Sequence, residues 1–316
     1  MKRRAALLLS AALLAVPAGA APEHRTVVVT ETVRVPVEKA GTRVRLWVPK
    51  PPSRDGQSVE VLSVSAPWPH RVTREGIFGN ETLYFEGSAA AAGEQTLSVR
   101  YRVRREALEA PLPGQPAAED RSPRGKEVVD SEIRRIAAAA TAGLSDPQAK
   151  GRALFRVVLA RMEYDKKEAG WGEGDSARAC RVGKGNCTDF HALFMALAHS
   201  AGLPARFRMG YSLPAAQSGS LGSGYHCWAE FHAGKAGWVP VDISEASKAP
   251  AEKAETFFGR LDSNRVLVST GREVVLSPRQ TGKPLNFLSR PYGEFDGRPN
   301  SGLYFERSFA SPEPGG

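Results

Sequence analysis

The sequence predicts an α+β protein in which a helix-borne cysteine packs on an antiparallel sheet, preceded by an all-β sandwich. Three observations predict it. Between Arg25 and about Arg105, short Val- and Thr-rich runs are punctuated by Gly, Pro and Asn, the pattern of repeated short strands. A strongly amphipathic helix pattern then begins at Cys187. Beyond it, two apolar runs flank the short turn Ala233-Gly234-Lys235, as in a hairpin.

The elements follow in order. Lys2, Arg3 and Arg4 precede an apolar stretch from Ala5 to Val16 and the small-residue pattern Ala18-Gly19-Ala20. Residues 1–20 therefore read as a secretory signal peptide cut after Ala20, too short in its apolar part to span a bilayer. The expectation is a periplasmic or secreted protein that is not membrane-spanning. Residues 25–108 hold the runs Thr26 to Val37, Thr42 to Val48, Val59 to Val64, Thr82 to Phe85 and Thr96 to Val103, which predict an antiparallel β-sandwich domain of the Ig-like sort. Residues 109–126, rich in Pro, Gly and charge, read as a linker. Helices are expected over Ser131 to Ala142 and Asp146 to Tyr164, with a loop over Asp165 to Asn186, where no period is visible. From Cys187 to Ala201, Phe190, Leu193, Phe194, Leu197 and Ala198 recur at helical spacing. Asn186 caps the start, and Gly202 and Pro204 end it. Strands follow over Ala205 to Leu213, Tyr225 to His232 and Gly237 to Ile243. Residues 214–224, mostly small, read as a mobile loop. A second domain of helices and strands is thus placed at 127–250, a β extension at 251–307 and a disordered tail at 308–316.

With 316 residues and 41% apolar content, the chain is long enough for two domains with real cores. Its net charge of +9 is spread along the sequence rather than gathered, so it predicts a solvated basic surface and no nucleic-acid partner. Three cysteines, Cys180, Cys187 and Cys227, leave at least one thiol without an intramolecular partner. A Cys180–Cys227 disulfide is the pairing that export would permit.

Cys187 occupies the first turn of its helix, where unpaired amides and the macrodipole favour a thiolate. A turn centred on Gly234 would set His226 directly opposite Asp242, within reach for a carboxylate to orient an imidazole. The same register sends Cys227, Ala229, Phe231, Val239 and Val241 to the other, apolar face. His191, one turn after Cys187, reads as structural. A metal held by Cys180, Cys187, His191, His226 and Cys227 lacks paired ligands at short spacing, so neither metal nor cofactor is expected.

The segments Gly-Asn-Cys-Thr-Asp-Phe-His-Ala-Leu-Phe (185–194), Ala-Gly-Leu-Pro-Ala-Arg-Phe (201–207), Tyr-His-Cys-Trp-Ala-Glu-Phe (225–231) and Gly-Trp-Val-Pro-Val-Asp (237–242) resemble, in order, the core of the transglutaminase-like, papain-related family. The resemblance covers roughly residues 127 to 250. It implies a papain-like transglutaminase core with Cys187 as nucleophile, His226 as base and acid, and Asp242 as orienting group. It also implies an enzyme that attacks amide or peptide bonds through a thioester, as protease, amidase or transglutaminase. Its partner would be a protein or peptide substrate, such as a cell-envelope peptide. Trp171 lies closer to the cysteine than the tryptophan of eukaryotic transglutaminases and reads as packing. Two rival readings are a non-catalytic scaffold or binding module of the envelope and a metal-dependent hydrolase.

Overall fold

A computed structural model describes residues 23–312. The predicted leader and the last four residues of the predicted tail lie outside them. In chain order the strands are β1 (His24–Val37), β2 (Arg43–Lys50), β3 (Gln57–Ser65), β4 (His70–Arg74), β5 (Glu81–Ser88), β6 (Gly93–Glu106), β7 (Leu108–Glu109), β8 (Glu163–Tyr164), β9 (Lys184–Gly185), β10 (Ala205–Ser212), β11 (Ser218–Gly222), β12 (His226–His232), β13 (Trp238–Val241), β14 (Arg260–Leu261), β15 (Arg265–Thr270), β16 (Tyr292–Phe295), β17 (Arg298–Asn300) and β18 (Tyr304–Ala310). The helices are α1 (Ser131–Ala140), α2 (Pro147–Arg161), α3 (Ser176–Val182), α4 (Cys187–Ser200), α5 (Ile243–Ala246) and α6 (Ala251–Ala254).

The Val/Thr alternation of β1 places Val27, Val29, Val33, Val35 and Val37 inward, against Leu97, Val99, Tyr101 and Val103 of β6. Each valine taken from water contributes about 1.5–3 kcal/mol, so a period-two pattern fixes which face is buried. Two five-stranded sheets result, ordered β11-β18-β1-β6-β3 and β17-β16-β2-β5-β4. The sandwich is not confined to residues 25–108. Part of the expected C-terminal extension completes it: β16 pairs with β2, and β18 with β1. The tail expected to be disordered from residue 308 instead continues β18 as far as Ala310.

The segment 214–224, expected to be mobile, carries β11, which pairs with β18 and forms the edge of the first sheet. A buried ion pair explains why it is held. Glu31 faces inward among the valines of β1, and Arg307 of β18 meets it at 2.6 Å. The same guanidinium donates to the carbonyls of Gly224 and Ser289. The predicted linker is also fastened: Leu112 and Trp238 exchange backbone hydrogen bonds of 2.8 and 2.9 Å.

In the other half of the molecule, α4 packs on a sheet ordered β13-β12-β10-β15, with α1, α2 and α3 around it. Residues 187 to 198 of α4 are buried on every side, including the polar Thr188, Asp189 and His191, so the helix expected to be amphipathic is a central one. Phe194 meets Phe231 edge-on at 5.9 Å between rings. Helix α2 comes so close to Phe231 that a Cβ on Gly151 would lie 2.1 Å from the ring.

The hairpin register differs from the sequence expectation. Ala229 pairs with Val241 and Phe231 with Val239, so the connection runs from Ala233 to Gly237 and includes a 3-10 turn over Gly234–Ala236. Asp242 lies past the end of β13 and is not directly opposite His226. The pairing is displaced by two residues, an even number, so the faces survive: Cys227, Ala229, Phe231, Val239 and Val241 all join the core beneath α4.

Candidate active site

Helix α4 begins where Asn186 turns its side chain back to accept from the Thr188 N–H at 2.9 Å. Asp189 completes a capping box by accepting from the Asn186 N–H at 2.9 Å. The same carboxylate takes the N–H groups of Gly172 and Gly174, so it pins the preceding loop against the helix start. This close approach needs glycine at 185, since a Cβ there would lie 2.3 Å from Asp189 Oδ2. Burial raises the Asp189 carboxyl despite these three amide donors. Cys187 is fixed at the first helical position and is 3% exposed.

His226 opens β12, and its Nε2 lies 2.8 Å from Asp242 Oδ2. Asp242 reaches it as the N-cap of α5, while accepting from the Glu245 N–H and the Ser244 hydroxyl, both at 3.3 Å. Arg265 Nε donates to Asp242 Oδ2 at 3.1 Å from the far side. The Cys187, His226 and Asp242 side chains are all buried. Burial alone would raise the Asp242 carboxyl, but His226 and then Arg265 outweigh it and hold it far below the carboxylate range. Burial would lower the His226 imidazole, yet the charge and hydrogen bond of Asp242, joined by Cys187, push it up to about 9. The Cys187 thiol is held well below its ordinary value, first by a hydrogen bond from Cys227, then, against burial, by the hydrogen bond and charge of His226. At neutral pH the arrangement favours a thiolate beside an imidazolium.

The family model of the transglutaminase-like superfamily matches residues 134–243, a span that holds all three side chains. Over residues 134–243 the chain is similar to that superfamily. An uncharacterized protein of Haemophilus influenzae is 33% identical over 186 residues, 49% of this chain and 50% of that protein. The match thus spans half the length of that relative. A candidate cysteine protease from Cytophaga hutchinsonii shares the fold at a TM-score of 0.56 and 13% identity, over 92% of this chain and 93% of that one. The periplasmic domain of TgpA from Pseudomonas aeruginosa aligns at 18% identity over 70% of this chain and 96% of that one, with a TM-score of 0.35.

Within the matched span, His191 is buried with both ring nitrogens engaged. Nδ1 faces the Cys187 carbonyl at 2.7 Å, and Nε2 accepts from the Ile243 N–H at 3.0 Å. These bonds define the neutral tautomer, consistent with burial lowering its pKa, and leave no lone pair for a metal. The ring ties helix α4 to the residue after Asp242. The three thiols are free. Cys180 sits on α3, where Arg161, Asp130 and Glu132 act on it. Cys227 sits under α4, 3.7 Å from His191 Nδ1 and 3.8 Å from the Thr188 hydroxyl. The expected Cys180–Cys227 disulfide is therefore not formed. Trp171, read as packing, is 39% exposed.

Sequence reading missed Arg265, Glu245 and α3. Arg265 belongs to a strand 23 residues beyond Asp242, and nothing local marks it as a partner. The helix α3 did carry a signal: Asp175 caps the Arg178 N–H, and Gly183 ends it in the left-handed region. Among the described residues no helix is long and apolar enough to cross a membrane.

Proposed function

We propose that the protein is an exported thiol hydrolase of amide or peptide bonds. The observation that carries this reading is one buried constellation: Cys187 at the first position of α4 and His226 Nε2 held 2.8 Å from Asp242 Oδ2, a setting that pushes the thiol down and the imidazole up. In this reading the Cys187 thiolate attacks the substrate carbonyl carbon. The Cys187 N–H, in the first turn of α4 where amides have no intrahelical acceptor, stabilises the oxyanion. His226 then passes its Nδ1 proton to the departing amine as the C–N bond breaks, which leaves a thioester on Sγ. Asp242 keeps Nε2–H in place and the imidazolium charged during that transfer. Water, deprotonated by His226, resolves the thioester to an acid and restores the thiolate.

Water is preferred over an amine acceptor because an exported enzyme works in bulk water on amide-bearing envelope peptides. The scaffold reading has less support: a passive binder gains nothing from a low-pKa thiol in a buried, hydrogen-bonded triad. The test supplies a glutamine-containing peptide and an excess of primary amine, with products weighed by mass spectrometry. Release of ammonia or a new amino terminus, lost in Cys187→Ala, is the expected result. Predominant amine adduct would make the enzyme a transferase with the same triad, and turnover by Cys187→Ala would end the thiol mechanism.

A further inference from the structure

One carboxylate beside the triad has no place in that mechanism. Glu245 stands in the first turn of α5, three residues after Asp242, and its Oε1 lies 3.9 Å from His226 Nδ1. Nδ1 is the ring nitrogen that Asp242 leaves free, so Glu245 borders the position of the leaving nitrogen. Its Oε2 faces Arg265 Nη2 at 3.8 Å, while Oε1 accepts from the Lys248 ammonium at 2.7 Å. That ammonium also stands 4.0 Å from the centre of the Tyr164 ring. Tyr164 pairs with Gly185, two residues before Cys187, and burial first, then the Cys187 charge, push its phenol up. An aromatic face and a carboxylate thus converge on one cation at the rim of the site. The chain's own alkylammonium occupies the cradle from a side chain that is 40% exposed.

We propose that Tyr164 and Glu245 form a subsite for a primary alkylammonium group carried on the leaving-amine side of the scissile amide, and that Lys248 fills it until substrate arrives. The inference rests on the thiol-hydrolase reading for its place in the reaction, but the cradle itself does not. A carboxylate accepts a charge-assisted hydrogen bond from an ammonium, and a tyrosine face adds cation–π attraction. Amides whose leaving amine bears a lysine-like side chain should therefore be favoured over neutral isosteres.

The experiment measures the rate at which Cys187 is alkylated by N-(2-aminoethyl)-2-chloroacetamide and by its neutral isostere N-propyl-2-chloroacetamide. In both, the Sγ–C bond forms as C–Cl breaks and chloride leaves. The ratio of the two rates, divided by the ratio for free cysteine, reads the cradle. In Lys248→Met, where the internal occupant is gone, the ratio should be about 10. Wild type should lie between that value and 1, and Lys248→Met/Glu245→Gln should return to about 1. A ratio near 1 in Lys248→Met, or one that Glu245→Gln leaves unchanged, overturns the subsite. Should neither probe label Cys187, the thiol reading itself fails. The cradle is then read by calorimetric titration of Lys248→Met with propylammonium chloride. Saturable binding lost on adding Glu245→Gln supports the subsite, and absence of binding refutes it.

Discussion

Two histidines are buried against Cys187, one on a helix and one at a strand end, and their surroundings push them in opposite directions. His191 lies one turn along α4, between the Cys187 carbonyl and the Ile243 amide. Its nearest carboxylate oxygen, Asp242 Oδ1, is 4.0 Å away, and burial keeps the ring neutral. His226 opens β12 with Asp242 at 2.8 Å, and its imidazole rises to about 9. Nearness to a thiol therefore does not make a base. A hydrogen-bonded carboxylate does, because it stabilises the charged form that burial disfavours. The helix-borne ring holds the frame, and the strand-borne ring is free to carry a proton.

The largest effect should separate these roles in turnover. His226→Ala should lower kcat by about 10³-fold or more, because triad members act as a unit. His191→Gln, which keeps a polar side chain there, should cost less than about 10-fold per folded molecule. Steady-state kinetics on samples matched by circular dichroism decide this, and a greater loss from the His191 change in folded protein would reverse the comparison. Asp242→Asn should fall between them, at about 10²-fold or more in kcat, since the amide cannot hold the imidazolium charge. If its kcat is indistinguishable from wild type, Asp242 does not orient the base.

Stability should rank the two histidines the other way. His191→Ala leaves the Ile243 N–H unpaired and opens a void under α4, which together cost about 2–4 kcal/mol. Urea unfolding checks this. A loss below about 1 kcal/mol would mean that the ring does not brace the Asp242 corner.

The same contrast explains what could be read before the structure. Helix α4 was legible because its start, its apolar face and its end are all local signals: Asn186, Phe190 to Ala198, and Gly202. His226 and Asp242 were legible as types and as sharing a face, because parity along a strand survives a two-residue slip in pairing. Their actual meeting was not, because Asp242 leaves the strand to cap α5. Arg265 and Glu245 lack any periodic mark, and their roles exist only through contact. The sandwich's completion by β18 was hidden for a related reason. An inward glutamate at residue 31 looks like a defect in β1 until Arg307, 276 residues later, is beside it.

The smallest expected effect concerns protons. In the unfolded chain the histidine titrates near 6.5 and the thiol near 9. Between pH 6.5 and about 9, folded His226 keeps a proton that the unfolded chain has lost, so its contribution to stability falls as pH rises. Folded Cys187 lacks a proton that the unfolded thiol still holds, so its contribution rises with pH over the same window. Each amounts to at most about 1.4 kcal/mol per pH unit, and the two cancel, because forming the pair transfers a proton internally and takes none from solvent. Cys187→Ala removes one side of the balance. Its unfolding free energy should decline against wild type from pH 6.5 towards 9, while that of His226→Gln should climb. His191 acts elsewhere: below about pH 6.5 the unfolded ring takes up a proton that the buried ring refuses, so stability falls as pH falls, and His191→Gln should flatten that acid limb. Urea denaturation from pH 5.5 to 9 gives all four curves. A Cys187→Ala curve parallel to wild type across the upper window would show that Cys187 and His226 do not share the proton, and the thiolate–imidazolium pair would have to be abandoned.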